Sequence, residues 1–227
     1  MMISANQTTL TFLHLLRLLC IHPSLCSESI HANTFLQSIE DLVEKDDEHS
    51  ESVKSDSITR LIDTLLRSTN ESILLISTYT QILDFWAAIC NSNNWGYYRL
   101  DGSTDVSKRQ SMVDSFNNHM NSNRLFLLSA KAGGVGLNIT GASRVIMIEP
   151  AWNPAIDSQS IARAWRFGQT RTVVVYRFFL SGSIEEVILQ RQLLKKDISD
   201  VTVDHGQIGE GKLTREEMKE LFSLKNV

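Results

Sequence analysis

From residue 58 onward the chain alternates short, almost uninterrupted apolar runs with amphipathic segments, and few folds accept that pattern. The runs ILLIS (73–77), YYRL (97–100), RLFLLS (124–129), RVIMIE (144–149) and TVVVYRFFL (172–180) read as strands. A strand without polar alternation must be covered on both faces, the condition of a parallel sheet between two helical layers. Helical segments are expected between the strands at 80–92, 105–117 and 153–166, the last opened by Asn153 as N-cap with Pro154 at the first helical position. A further helix at 183–198 begins with a capping box, Ser183 with Glu186. Strand and helix in turn predict an α/β domain: three layers, a mainly parallel sheet, helices on both faces.

What precedes the alternation is of another kind. Residues 8–21, TTLTFLHLLRLLCI, have the length of a signal-peptide apolar region, but no basic residue precedes them and Arg17 interrupts them. The stretch is also too short to span a bilayer, so no membrane association is expected. At helical spacing Leu10, Leu13, Leu16 and Leu19 form an apolar stripe that Pro23 ends, which reads as a core-packing helix. His14, Cys20, His22 and Cys26 match no common zinc spacing, and no metal site is assigned. Three cysteines, Cys20, Cys26 and Cys90, are an odd count without framework spacing and suggest free thiols in a reducing compartment. Residues 27–57 then turn polar, with EKDDEHSESVKSDS reading as a solvated helix end or a mobile linker. Its DDEH is no magnesium-binding box, because such a box terminates a buried apolar strand. The expected organisation is a helical lead-in and acidic linker over 1–57, an α/β lobe over 58–181 and a helical extension over 182–227.

A net charge of −4 argues against coating nucleic acid by bulk electrostatics, but residues 95–181 hold ten Lys/Arg against five Asp/Glu, while residues 1–70 hold five against ten. A phosphate-facing surface or a solvated helix face would both give that count. Ligands of parallel sheets bind beyond the carboxyl ends of the strands. After the strand at 124–129 comes SAKAGGVGLN, where Gly133, Gly134 and Gly136 would let backbone amides approach an anion and Lys131 adds charge, unless the glycines only make a turn. Gln159, Arg163 and Arg166 recur at i, i+4 and i+7, which puts them on one face of the expected 153–166 helix. Such a face suits a nucleotide triphosphate; surface ion pairs would use the same spacing.

RLDGST (99–104), SAKAGGVGLN (129–138), EPAWNP (149–154) and QSIARAWRFGQT (159–170) resemble, in order and spacing, the helicase motifs of the second RecA-like lobe of SWI/SNF-type ATPases. LLRLLCIHPSL (15–25) is similar to the leucine-rich helix and His-Pro turn that precede that lobe; STYTQILDF (77–85) and GSIEEVILQRQLLKK (182–196) look most like the recombinational-repair DNA translocase branch. The resemblance implies Arg163 and Arg166 as arginine fingers, with Gln159 and Gly136 at the nucleotide. It implies Ser77, Tyr79, Gly102, Ser103, Lys131, Gly133, Gly134 and Asn138 along one DNA strand, and Trp152 coupling the two sites. Ala130 and Ala151 depart from the pattern, standing where the family often has a hydroxyl and an acidic residue.

No convincing phosphate loop is present. GQIGEGKL (206–213) follows Lys212 with Leu213, which has no hydroxyl for magnesium, and Thr214 with Glu217 makes a better helix cap. The chain is therefore expected to be half of a DNA-dependent ATPase and translocase, inactive alone, with ATP and Mg2+ held mainly by an N-terminal lobe of the same polypeptide. Its expected setting is nuclear: DNA repair, recombination or chromatin remodelling on double-stranded DNA, with a recombinase filament or nucleosome as further partner. A non-catalytic DNA- or protein-binding module is the alternative, and an RNA helicase lobe is disfavoured by the His-Pro turn, AWNP and ILQRQLLKK.

Overall fold

The five apolar runs do pair into one parallel sheet, in the order β2-β3-β1-β4-β5. The strands are β1 (Ile73–Ser77), β2 (Tyr97–Leu100), β3 (Leu125–Ser129), β4 (Arg144–Met147) and β5 (Val174–Arg177). The computed structural model describes residues 5–26, 52–118, 123–132 and 136–201. Successive residues of a strand face opposite sides of a sheet, and both sides are covered. Ile73, Leu75, Leu125, Leu127, Ile146 and Ile148 enter one core with Trp86 and Ile62; Leu74, Ile76, Phe126, Leu128, Val145 and Met147 enter the other with Val113 and Phe116. That double burial is why these runs lack polar alternation. Each fully buried aliphatic side chain contributes about 1.5–3 kcal/mol.

The helices are α1 (Ala5–Ile21), α2 (Val53–Ser68), α3 (Thr80–Ser92), α4 (Val106–Asn117), α5 (Pro154–Ile161) and α6 (Ile184–Val201), with a 3-10 turn at Pro23–Cys26. Several departures from expectation have local causes. α2 runs across the boundary placed at 57/58, starting from the Ser52 cap, so the lobe begins inside what was assigned to the linker. α5 stops at Ile161 rather than 166: the amides of Arg163 and Ala164 bond three residues back, to Ser160 and Ile161, and Ala164 is drawn fully into the core. β5 is shorter than the run at 172–180 because it is a half-exposed edge strand. In α1, Leu10 is exposed, and burial falls instead on Leu13, Leu15, Arg17, Leu18, Cys20 and Ile21. These residues point almost all round the helix, because α2, α6 and the 3-10 turn all pack on it.

Both extensions are tied in by buried charge. Lys54 of α2 meets Glu185 of α6 at 2.6 Å with both side chains buried, and Glu185 also accepts from the Leu180 amide at 2.9 Å. The Ser183–Glu186 cap forms in altered register: the Glu186 carboxylate accepts from the Gly182 amide at 2.7 Å. Cys20, Cys26 and Cys90 are buried free thiols, and burial pushes the Cys90 thiol up to about 12. GQIGEGKL and the Thr214–Glu217 cap lie outside the described residues.

Candidate nucleotide and nucleic-acid site

Parallel pairing sets Ser77 beside Ser129 and Leu100 beside Leu128, so the loops that follow β1, β2, β3 and β4 leave from one edge of the sheet. At the end of β1, Ser77 is buried and donates to Glu149 at 3.0 Å, and the same carboxylate oxygen accepts the Thr78 amide at 2.7 Å and hydroxyl at 2.8 Å. Ser77, expected to touch DNA, therefore holds the loop in shape. Burial pushes the Glu149 carboxyl up, against the pull of Arg17 and the Thr78 hydrogen bonds.

Tyr79 stands in the loop so formed, surrounded by cations. Arg17 lies 4.9 Å and Lys131 5.6 Å from the centre of its ring, and the His14 ring centre is 4.8 Å away. Arg17 also donates to the Tyr79 hydroxyl at 2.7 Å. Burial, then the charges of Arg17 and Lys131, push the His14 imidazole below its ordinary value. The lead-in helix thus contributes to the site, and the Arg17 that interrupts its leucine run is the one local sign of it. Next along the edge, the Gly102 turn is exposed and is shaped by Asp101, whose carboxylate accepts the Ser103 amide at 2.9 Å and hydroxyl at 2.5 Å. Burial pushes the Asp101 carboxyl up, but Ser103 and Arg99 outweigh it and hold it below the usual range. A phosphate arriving at Ser103 must compete with that carboxylate. Arg109 clips this turn to the next loop, donating to the carbonyls of Thr104 at 3.0 Å and Ala132 at 3.3 Å. Gly133 and Gly134 lie outside the described residues.

The second half of the edge holds the paired arginines. Arg166 is exposed and donates to the Gly136 carbonyl at 2.9 Å and to Asn138 Oδ1 at 2.6 Å; it pairs with no carboxylate among the described residues. Asn138, expected along the DNA, is thereby placed with the arginines. Arg163 is half-buried, and burial followed by the neighbouring Arg166 cation pushes its guanidinium below its ordinary value. Gln159 is exposed on α5, while both arginines lie beyond the helix end, so a turn rather than a shared helix face presents them. Gln169 fixes this turn, reaching the carbonyls of Thr140 at 3.0 Å, Ala142 at 2.8 Å and Ala164 at 3.1 Å. Gly168 closes it at φ +99°, a conformation L side chains rarely adopt. Two like charges beside neutral oxygen acceptors suit an anion. Trp152 is half-buried between the two halves, with the Arg191 guanidinium 5.3 Å from its ring centre.

Comparison with known proteins identifies the family. Residues 54–168 match the family model described as the helicase conserved C-terminal domain. The chain is 39% identical over 237 residues to the DNA repair and recombination protein RAD54-like of Drosophila persimilis and 40% over 236 residues to that of Drosophila mojavensis. Each alignment covers 97% of the chain and 29% of the relative, so the chain spans less than a third of the length of these curated relatives. Among solved structures, the C-terminal part of the Fun30 ATPase domain superposes with a TM-score of 0.63 at 31% identity, covering 83% of this chain and 59% of that one. Fold and relatives converge: the chain belongs to the helicase conserved C-terminal domain family, as the second RecA-like lobe of a SWI/SNF-type ATPase.

Proposed function

We propose that this lobe completes, across an interlobe cleft, the ATP site of a double-stranded-DNA translocase acting in nuclear recombinational repair. The observation that carries the reading is the arginine pair: Arg163 and Arg166 stand together at the carboxyl edge, where burial and then the Arg166 charge push the Arg163 guanidinium below its ordinary value, and Arg166 rests on neutral acceptors that a phosphate oxygen outcompetes. ATP and Mg2+, held mainly by the N-terminal lobe, supply the phosphoryl chemistry. The part of this chain is electrostatic: planar guanidiniums reach the charge that develops on the transferred group, while Gln169 and Gly168 keep the turn in shape. Gln159 and Gly136 complete the nucleotide side. Lys131, Tyr79 and the turn of Gly102 and Ser103, with Gly133 and Gly134, follow one DNA strand, and closing of the cleft moves them against it. The repair setting rests on the RAD54-like relatives; a recombinase filament or nucleosome is the further partner.

DNA-stimulated ATP hydrolysis by the chain alone and by the protein that joins it to its N-terminal lobe tests this reading. Turnover is expected only from the joined protein. Robust turnover by the purified chain alone overturns the half-site, and a joined protein that binds DNA without turnover supports the binding-module alternative.

A further inference from the structure

Four consecutive residues between β4 and α5, Glu149 to Trp152, are held between them by β1, α1, α5 and α6. Glu149 accepts from Ser77 and Thr78 at the end of β1, as described above. The carbonyl of Pro150 accepts from Arg17 of α1 at 2.6 Å. The backbone of Ala151 is gripped on both sides: its amide donates to Asp157 Oδ1 of α5 at 3.1 Å, and its carbonyl accepts from Gln192 of α6 at 2.6 Å. Gln192 donates at 2.9 Å to the other oxygen of the same Asp157. Trp152 lines a shallow hollow together with Ile188, Arg191 and Gln192 of α6, and the Arg191 guanidinium is 5.3 Å from its ring centre. Arg17, Glu149, Asp157 and Gln192 are all buried, so these bonds are made away from water, where an unmade one is costly.

We infer that Gln192 and Arg17 are positioning residues through which the two helical extensions set the geometry of both candidate sites at once. The inference rests on the reading of those sites given above. One end of the 149–152 segment fixes the Thr78–Tyr79 loop, and the other leads into α5 and the arginine turn. A shift of α6 that breaks the Gln192 bonds frees the Ala151 carbonyl, and the strain passes backwards to Glu149 and forwards to Asp157. The segment also has capacity for a second arrangement. Arg17 Nε and Glu149 Oε2 are both buried without a hydrogen-bond partner, so a small movement of α1 against β4 would gain bonds as well as lose them. Two discrete arrangements of a packed polar network are what physical coupling between sites requires.

The test is residue-resolved amide exchange on the chain itself, comparing wild type with Gln192→Met, which keeps the side-chain length and removes the donor. Exchange is expected to quicken about five- to tenfold at Ala151 and several-fold at Thr78, whose amide reports Glu149, while Phe126 in the sheet centre is unchanged. Gln192→Glu, which sets an acceptor against Asp157 and the Ala151 carbonyl, should loosen both amides further. A change confined to α6 overturns the inference, and so does faster exchange at Phe126 to the same degree as at Thr78, which would mean general destabilisation. Duplex affinity of the wild-type chain, measured alongside, tests the DNA reading separately, and the exchange pattern decides this inference whichever way that falls.

Discussion

At the amino-terminal edge of the sheet, arginines are answered by the fold. Arg124 donates to the Leu66 and Thr69 carbonyls at the end of α2; Arg144 and Arg171 lie 3.4 and 3.5 Å from the Glu71 carboxylate, which also accepts the Ser143 hydroxyl. At the carboxyl-terminal edge, Arg99 and Arg109 are engaged in the same way, by Asp84, Asp101 and loop carbonyls. Lys131 and Arg166 are different: among the described residues neither pairs with a carboxylate, Arg166 resting on the neutral oxygens of Gly136 and Asn138 and Lys131 lying over the Tyr79 ring. In the function proposed above, the same residue types do two jobs in one lobe. The arginines at one edge close the structure, and Arg166 at the other is the one proposed to face a ligand. Charge counts along the sequence cannot separate these cases, because what separates them is the acceptor that the fold brings up.

The largest expected effect would break the comparison outright. In the joined two-lobed protein, Arg163→Ala or Arg166→Ala should leave ATP binding nearly intact and lower DNA-stimulated hydrolysis by about 10³–10⁵-fold, the range of arginine fingers. Lysine should rescue poorly, since it loses the planar fork. Hydrolysis within a fewfold of wild type would return both residues to the class of surface arginines.

Glu71→Ala sharpens the other side. It strands Arg144, Arg171 and the Ser143 hydroxyl, and with partial exposure taken into account should cost about 1–2 kcal/mol in urea unfolding. Duplex affinity should not change. Lys131→Ala should show the opposite pattern: an unchanged urea midpoint, weaker duplex binding, and a salt dependence reduced by about one unit of slope.

The smallest effect concerns an acid that the carboxyl edge buries. A carboxyl raised above its unfolded value subtracts stability once pH exceeds that value, and the deficit vanishes as pH falls below it. Burial raises Glu149 in this way. Glu149→Gln keeps an acceptor for Thr78 and should be slightly more stable than wild type at neutral pH, with the advantage fading on acidification below the ordinary carboxylate range. Urea titrations at several pH values check the sign.

The sheet was legible because burial on both faces leaves a local signature: apolar runs without alternation, visible in β1 and β3 residue by residue. Caps were legible for the same reason, and the Asn153 side chain accepts from Ala155 as its position before Pro154 implies. The α5 terminus was not, because nothing local shows that Ala164 will be drawn into the core and turn the chain there. The contacts that stayed hidden are those between residues distant in sequence: Arg17 with Tyr79 and Pro150, Ser77 with Glu149, Gln192 with Ala151. A buried arginine in a leucine-rich helix was the one available signal, since burial of a guanidinium demands acceptors.

Urea unfolding of Arg166→Ala beside Arg171→Ala, in the chain as it stands, tests the division between the edges most directly. Arg166→Ala should stay within about 0.5 kcal/mol of wild type, because only exposed neutral contacts are lost, whereas Arg171→Ala should cost about 1–2 kcal/mol through Glu71 and the Gly141 carbonyl. The reverse order, with Arg166 the more costly to remove, would mean that its charge serves the fold, and the division between structural and ligand-facing arginines would be wrong.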